Sequence, residues 1–240
     1  MRKPERMPWT TLKTVRIAAD IPVVQGHPAY RSAKQGDFAA AIKLVSTILT
    51  AFELDRLQQE YRANSPILVG VHAVEELSIN YIPQAMTAWL ASRLGWEHDR
   101  DIVQINRVGH TRASGWHRLA HQPIFDGEVQ SGGEYLLLDD FVGQGGTLAN
   151  LRGFIEARGG LVIGALALTG KAYSSILAIT GETLAALRAK HGNLEFWWRE
   201  QFGFGFDAVT ESEGRYLFRA ENADAIRDRL AEAKQKDISR

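Results

Sequence analysis

The chain has 240 residues, 45% of them hydrophobic, enough for one large domain or a domain with a smaller appendage. Its 28 basic and 28 acidic residues cancel, which argues against a dedicated nucleic-acid binder. The absence of cysteine removes disulfides, thiol nucleophiles and Cys-ligated zinc.

The charged start Met1-Arg2-Lys3-Pro4-Glu5-Arg6 is followed by no long apolar run. The apolar stretch 161–168 is too short to cross a bilayer. No signal peptide, no membrane partner and a cytoplasmic location are therefore expected. Residues 1–27 read as irregular. His27-Pro28 suits the start of a short helix, and Asp37 is placed to cap the next one. Phe38, Ile42, Val45, Ile48, Leu49 and Phe52 follow at helical spacing, predicting one amphipathic helix to about Tyr61.

Pro66-Ile67-Leu68-Val69-Gly70-Val71 reads as a short buried strand. Pro83 opens a helix bearing Met86, Trp89, Leu90 and Leu94, and Gly95 stops it. A second strand is expected over 101–105, then a polar stretch, 106–133, without clear period. A connection of that length points to a functional or partly ordered loop. Tyr135-Leu136-Leu137-Leu138 is a strand, 147–158 a helix ended by Gly159-Gly160, and 161–168 another strand. A helix near 182–190, an aromatic-rich segment and a helix over 223–234 complete the chain. Strands alternating with helices at this spacing predict an α/β fold with a parallel sheet and helical additions at both ends.

Parallel sheets bind ligands at the carboxyl ends of their strands. Asp139 and Asp140 stand at such an end, before Phe141, Val142, Gly143, Gln144, Gly145, Gly146 and Thr147. Glycines let a backbone approach an anion, and the N-terminus of the following helix favours negative charge. Thr147 adds a hydroxyl. The loop has no lysine, so it is not a P-loop, and Leu148 stands where a dinucleotide fingerprint needs its third small residue. Paired acids beside a phosphate nest suit a ligand with one phosphate and vicinal hydroxyls.

The run from Leu136 to Leu148 resembles the motif with which type I phosphoribosyltransferases bind 5-phosphoribosyl 1-diphosphate (PRPP). The resemblance implies a phosphoribosyltransferase-like core over 63–175, with an N-terminal helical extension (1–62) and a C-terminal hood or helical region (176–240). It implies that Asp139 and Asp140 hold the ribose hydroxyls and take part indirectly in Mg²⁺ binding. Gly143 to Thr147 would wrap the 5-phosphate. Gln144 departs from the pattern, where the family usually has threonine. The family's pyrophosphate loop corresponds to residues 72–80, with His72 and Ala73 as ligand-binding candidates. That segment lacks the usual basic residue and carries Glu75-Glu76 instead.

Residues 107–127 match the position of the family's flexible catalytic lid, where Arg107, Arg112 and Arg118 are the favoured residues for neutralising departing pyrophosphate. His117 and His121 are four apart, with no evident third zinc ligand. The aromatic cluster around Trp197-Trp198 and Phe202–Phe206 fits a hood that stacks on a base, a core, or a dimer contact. The implied function is Mg²⁺-dependent transfer of ribose 5-phosphate between PRPP and a nitrogenous base, in a homodimer. Two alternatives stay open: a PRPP- or nucleotide-sensing protein without turnover, and a metal-dependent hydrolase using Glu75, Glu76 and the histidines.

Overall fold

The structure is a computed structural model, and it describes residues 2–71, 80–106, 108 and 114–238. In chain order the elements are β1 (Arg16–Ala19), α1 (Ile21–Gln25), α2 (Tyr30–Lys34), α3 (Phe38–Ile48), α4 (Ala51–Glu60), β2 (Ile67–Gly70) and α5 (Ile82–Leu94). Then come β3 (Val103–Gln104), α6 (Gly115–Ala120), β4 (Phe125–Asp126), β5 (Glu134–Val142) and α7 (Gly146–Glu156). The last are β6 (Leu161–Gly170), α8 (Gly181–Phe202), α9 (Glu211–Phe218) and α10 (Ala223–Ile238).

The central sheet has the order β1-β6-β5-β2 with every pair parallel, as the alternating strand and helix pattern predicts. Both faces are covered, which is why β5 and β6 read as continuous apolar runs. Leu68, Leu136, Leu138, Leu166 and Leu168 face one way and meet Leu44, Val45, Leu57, Met86 and Leu90 of α3, α4 and α5. Val69, Tyr135, Leu137, Val162 and Ala167 face the other way and meet Leu148, Leu151, Phe154 and Ile155 of α7. Each such leucine or phenylalanine contributes roughly 1.5–3 kcal/mol when fully buried. A third core joins α8, α9 and α10 to Leu119 of α6 through Trp198, Phe202, Phe204 and Phe206.

The strands differ in length at the end where the site lies. β2 ends with Gly70 opposite Leu138, whereas β5 continues to Val142 opposite Gly170 of β6. Among the described residues, β5 beyond Leu138 therefore has a strand neighbour on one side only, β6.

Several predicted elements are corrected. Residues 16–19 are not irregular: they form the edge strand β1, too short to show a pattern and held by its ladder to β6. The single helix expected over 38–61 is two helices, broken where Leu49 and Thr50 leave helical geometry (ψ 79° and 172°). The break turns Phe52 out to solvent and lets Leu49 reach the core. The strand expected over 101–105 shrinks to β3, which pairs antiparallel with β4 outside the parallel sheet. The long polar stretch contains α6 and β4. β5 runs four residues beyond the predicted end, so Asp139 and Asp140 lie within the strand. No described helix is long and apolar enough to cross a membrane.

Candidate functional site

Beyond β2's end lies a cavity of about 690 Å³. Asp139, Asp140, Phe141, Gly143, Gln144, Gly145, Gly146 and Thr147 line it, and so does Arg118 from α6. The structure thus brings most predicted site residues together. Val142 does not line the cavity: alternation along β5 turns it into the core with Leu148 and Leu177. Arg107, Arg112, His72, Ala73, Glu75 and Glu76 lie outside the described residues.

The two acids are held differently. Asp139 is buried, and its Oδ1 accepts a 2.8 Å hydrogen bond from the Asp140 N–H. Burial, and after it the charge of Asp140, pushes the Asp139 carboxyl well above the ordinary carboxylate range. Asp140 accepts a 2.8 Å hydrogen bond from the Lys34 ammonium. Burial lowers the Arg118 guanidinium pKa, and attraction to Asp139 opposes that shift. Two adjacent carboxylates are thus balanced by cations from two other elements.

The glycine loop is anchored through its carbonyls. Gly143 O accepts from Ser174 Oγ at 2.6 Å, and Gln144 O accepts from Thr210 Oγ1 at 2.6 Å. Gly145 O takes the α7 amide of Ala149 at 3.0 Å, and Gly146 O takes Arg6 Nη2 at 3.4 Å. Among the described residues, the N–H groups of Gly143, Gln144 and Gly145 donate to no protein acceptor. The first amides of α7 have no helical acceptor, as at any helix start. With the carbonyls tied back, an anion beside this loop meets N–H donors and the positive end of α7.

The glycines are needed for packing as well as for ligand approach. Gly145 has φ +81°, and a Cβ there would lie 2.6 Å from Leu177 Cδ2. A Cβ on Gly146 would lie 2.5 Å from Glu213 Oε1, and one on Gly143 would lie 2.5 Å from Arg118 Nη1. Gln144 has a buried Oε1 with no hydrogen-bond partner among the described residues.

Arg6 and Glu213 were not foreseen. Their bidentate ion pair lies beside Gly146, and Arg6 also reaches Asn150 of α7 and covers the Phe204 ring at 4.7 Å. Glu213 closes a capping box with Thr210, a Thr-x-x-Glu pattern visible in the sequence. Tyr30, Arg31 and Lys34, which carry no sequence signal, line the cavity from α2. Of the segment after 175, only Glu213 lines it among the described residues. The aromatic segment forms a core, with Trp198 and Phe202 at 4.3 Å between centroids. His117 and His121 stack at 4.4 Å away from the cavity, and His121 Nε2 lies 3.1 Å from Ala233 O. Among the described residues no three His, Asp or Glu side chains are grouped to hold a metal ion.

No protein-family model matches the chain. It is 40% identical over 237 residues to Protein TraN of Escherichia coli, covering 98% of this chain and 53% of that protein. An uncharacterised protein of Haemophilus influenzae is 40% identical over 129 residues, 54% of this chain and 29% of that protein. The chain thus spans about half the length of TraN. Solved structures similar to it include adenine phosphoribosyltransferase of Rhodothermus marinus, at 17% identity over 65% of this chain and 75% of that one, with a TM-score of 0.37. Another is UMP synthase of Leishmania donovani, at 16% identity over 80% of this chain and 33% of that one, with a TM-score of 0.33.

Proposed function

We propose that the cavity binds a 5-phosphorylated ribose and that the chain transfers ribose 5-phosphate between PRPP and a nitrogen of a base. The observation that carries this reading is the anchored loop: four of its carbonyls accept hydrogen bonds from the protein, while the N–H groups of Gly143, Gln144 and Gly145 donate to no described protein acceptor, in a loop that lines the cavity beside two acids at the end of β5. The amides and Thr147 suit the phosphate. Asp139 and Asp140 suit two vicinal hydroxyls, which donate to carboxylates.

The carboxylate pair fits indirect contact with a divalent ion that arrives on the substrate, and the described residues offer no resident metal cage. Mg²⁺ on a diphosphate would neutralise the leaving group. The chain's own part is to fix the sugar, stabilise charge and exclude water. Asp139 and Asp140 orient the ribose, the loop holds its far end, and Arg118, beside Gly143, adds positive charge. No nucleophile from the protein is required: the base nitrogen bonds to the ribose carbon as the C–O bond to the diphosphate breaks.

Calorimetry with PRPP and Mg²⁺ tests the site. The Asp139→Asn/Asp140→Asn variant is expected to bind at least about tenfold more weakly than wild type, since each lost charged hydrogen bond is worth roughly 1.5–3 kcal/mol. Equal binding by both contradicts the reading. A second reading, a PRPP-binding regulator without turnover, is favoured by the lack of any lysine or arginine in 72–80. A screen of nucleobases for pyrophosphate release separates the two.

A further inference from the structure

Resting on that reading, we infer that Arg31 and Lys34 of α2 form the subsite for the diphosphate on the sugar, in place of the segment that follows β2. A ribose carrying a phosphate and a diphosphate brings strong negative charge into a cavity that already holds two acids. Cations must face the diphosphate. The segment after β2, residues 72–80, contains no lysine or arginine.

Among the described residues, four cationic side chains line the cavity: Arg6, Arg31, Lys34 and Arg118. Arg6 is committed to Glu213 at 2.6 and 2.9 Å, with both side chains almost fully buried. Arg118 sits against Gly143, at the phosphate-loop end. Arg31 and Lys34 remain, three residues apart on α2 and therefore on one side of the helix.

Lys34 also fixes the location. Its ammonium lies 2.8 Å from Asp140, the acid that would take a ribose hydroxyl. The diphosphate is borne on the ring carbon next to one that carries such a hydroxyl, so its oxygens come close to whatever touches Asp140. When a hydroxyl donates to Asp140, the Lys34 ammonium exchanges one anionic partner for another. Arg31 is solvent-exposed, and its long stem lets the guanidinium approach a terminal phosphate in two-pronged fashion.

The test is calorimetry with three probes: ribose 5-phosphate, PRPP with Mg²⁺, and inorganic pyrophosphate with Mg²⁺. They are titrated into wild type, Arg31→Gln, and Arg31→Gln/Lys34→Gln, each checked for an unchanged melting profile. Wild type is expected to bind PRPP more tightly than ribose 5-phosphate. The double variant is expected to lose about 10–100-fold in PRPP affinity, with pyrophosphate affinity falling in parallel, while ribose 5-phosphate stays within about threefold. Arg31→Gln touches no acid of the site and is expected to lose part of the PRPP affinity alone. Undiminished PRPP binding by the double variant overturns the inference. So does an equal loss for PRPP and ribose 5-phosphate, because Lys34 would then act only by holding Asp140. Wild type that binds ribose 5-phosphate but PRPP no more tightly overturns the diphosphate subsite alone. Failure of wild type to bind ribose 5-phosphate removes the underlying reading and the subsite with it.

Discussion

Arg6 and Glu213, 207 positions apart, meet in a two-pronged ion pair at 2.6 and 2.9 Å beside Gly146. The pair joins the start of the chain, the phosphate loop and α9 in one place. Through Arg6 it holds Gly146 O, and through Glu213 it holds the Thr210 N–H, while the Thr210 hydroxyl in turn holds Gln144 O.

Breaking this pair should cost both stability and binding. Arg6→Ala leaves the Glu213 carboxylate buried without its cation, and such losses run to about 3–5 kcal/mol. Urea denaturation should show a midpoint well below that of wild type, and the folded variant should bind ribose 5-phosphate at least about tenfold more weakly. Wild-type values for both would mean that the pair does not hold the loop.

Gly146→Ala should act through the same contact. Its Cβ would arrive 2.5 Å from Glu213 Oε1 and 3.0 Å from Arg6 Nη2, so the ion pair or α7 must shift. Overpacking of this kind costs about 1–3 kcal/mol. Gly181→Ala is the control, because a Cβ there meets nothing within 4 Å. Thermal melts should show a lowered Tm for the first and an unchanged or raised Tm for the second.

Asp139 should make the protein less stable as pH rises. Burial, then the Asp140 charge, holds its carboxyl well above the ordinary range. Between the unfolded value of about 3.9 and the raised folded value, the native state binds more protons than the unfolded chain. Stability present at acid pH is therefore lost as pH rises through the folded pKa. Asp139→Asn removes that loss and keeps the acceptor for the Asp140 N–H. Its Tm should exceed wild type at neutral pH, by about 2–4 °C for each kcal/mol, and the curves should converge toward pH 4. A constant offset across pH would contradict the assignment.

Gln144 separates ligand binding from folding. Its buried Oε1 has no partner among the described residues, so Gln144→Ala removes no hydrogen bond to them through that atom. Stability should change by less than about 1 kcal/mol, whereas affinity for ribose 5-phosphate should fall measurably in calorimetry. Unchanged affinity would show that the amide does not serve the ligand.

Strands β2, β5 and β6 were legible because their two faces are both buried, which leaves unbroken apolar runs such as Leu136-Leu137-Leu138. The loop was legible because its chemistry is local: two acids, three glycines and a threonine within nine residues. What was missed is non-local. Lys34 reaches Asp140 across 106 positions, and no pattern along the chain announces that pairing. β1 was missed because four residues at a sheet edge show no period. The helix break at Leu49-Thr50 was missed because the apolar spacing continues through it, although Thr50 is a residue type suited to capping a new helix.

The measurement that bears most directly on the site is titration of ribose 5-phosphate, ribose and inorganic phosphate into the wild-type chain and into Asp139→Asn/Asp140→Asn. Saturable one-to-one binding of ribose 5-phosphate is expected for wild type, tighter than either fragment and at least about tenfold weaker in the variant. Binding of inorganic phosphate as tight as that of the whole sugar phosphate, or no difference between the two proteins, would contradict a ribose 5-phosphate site built from Asp139 through Thr147.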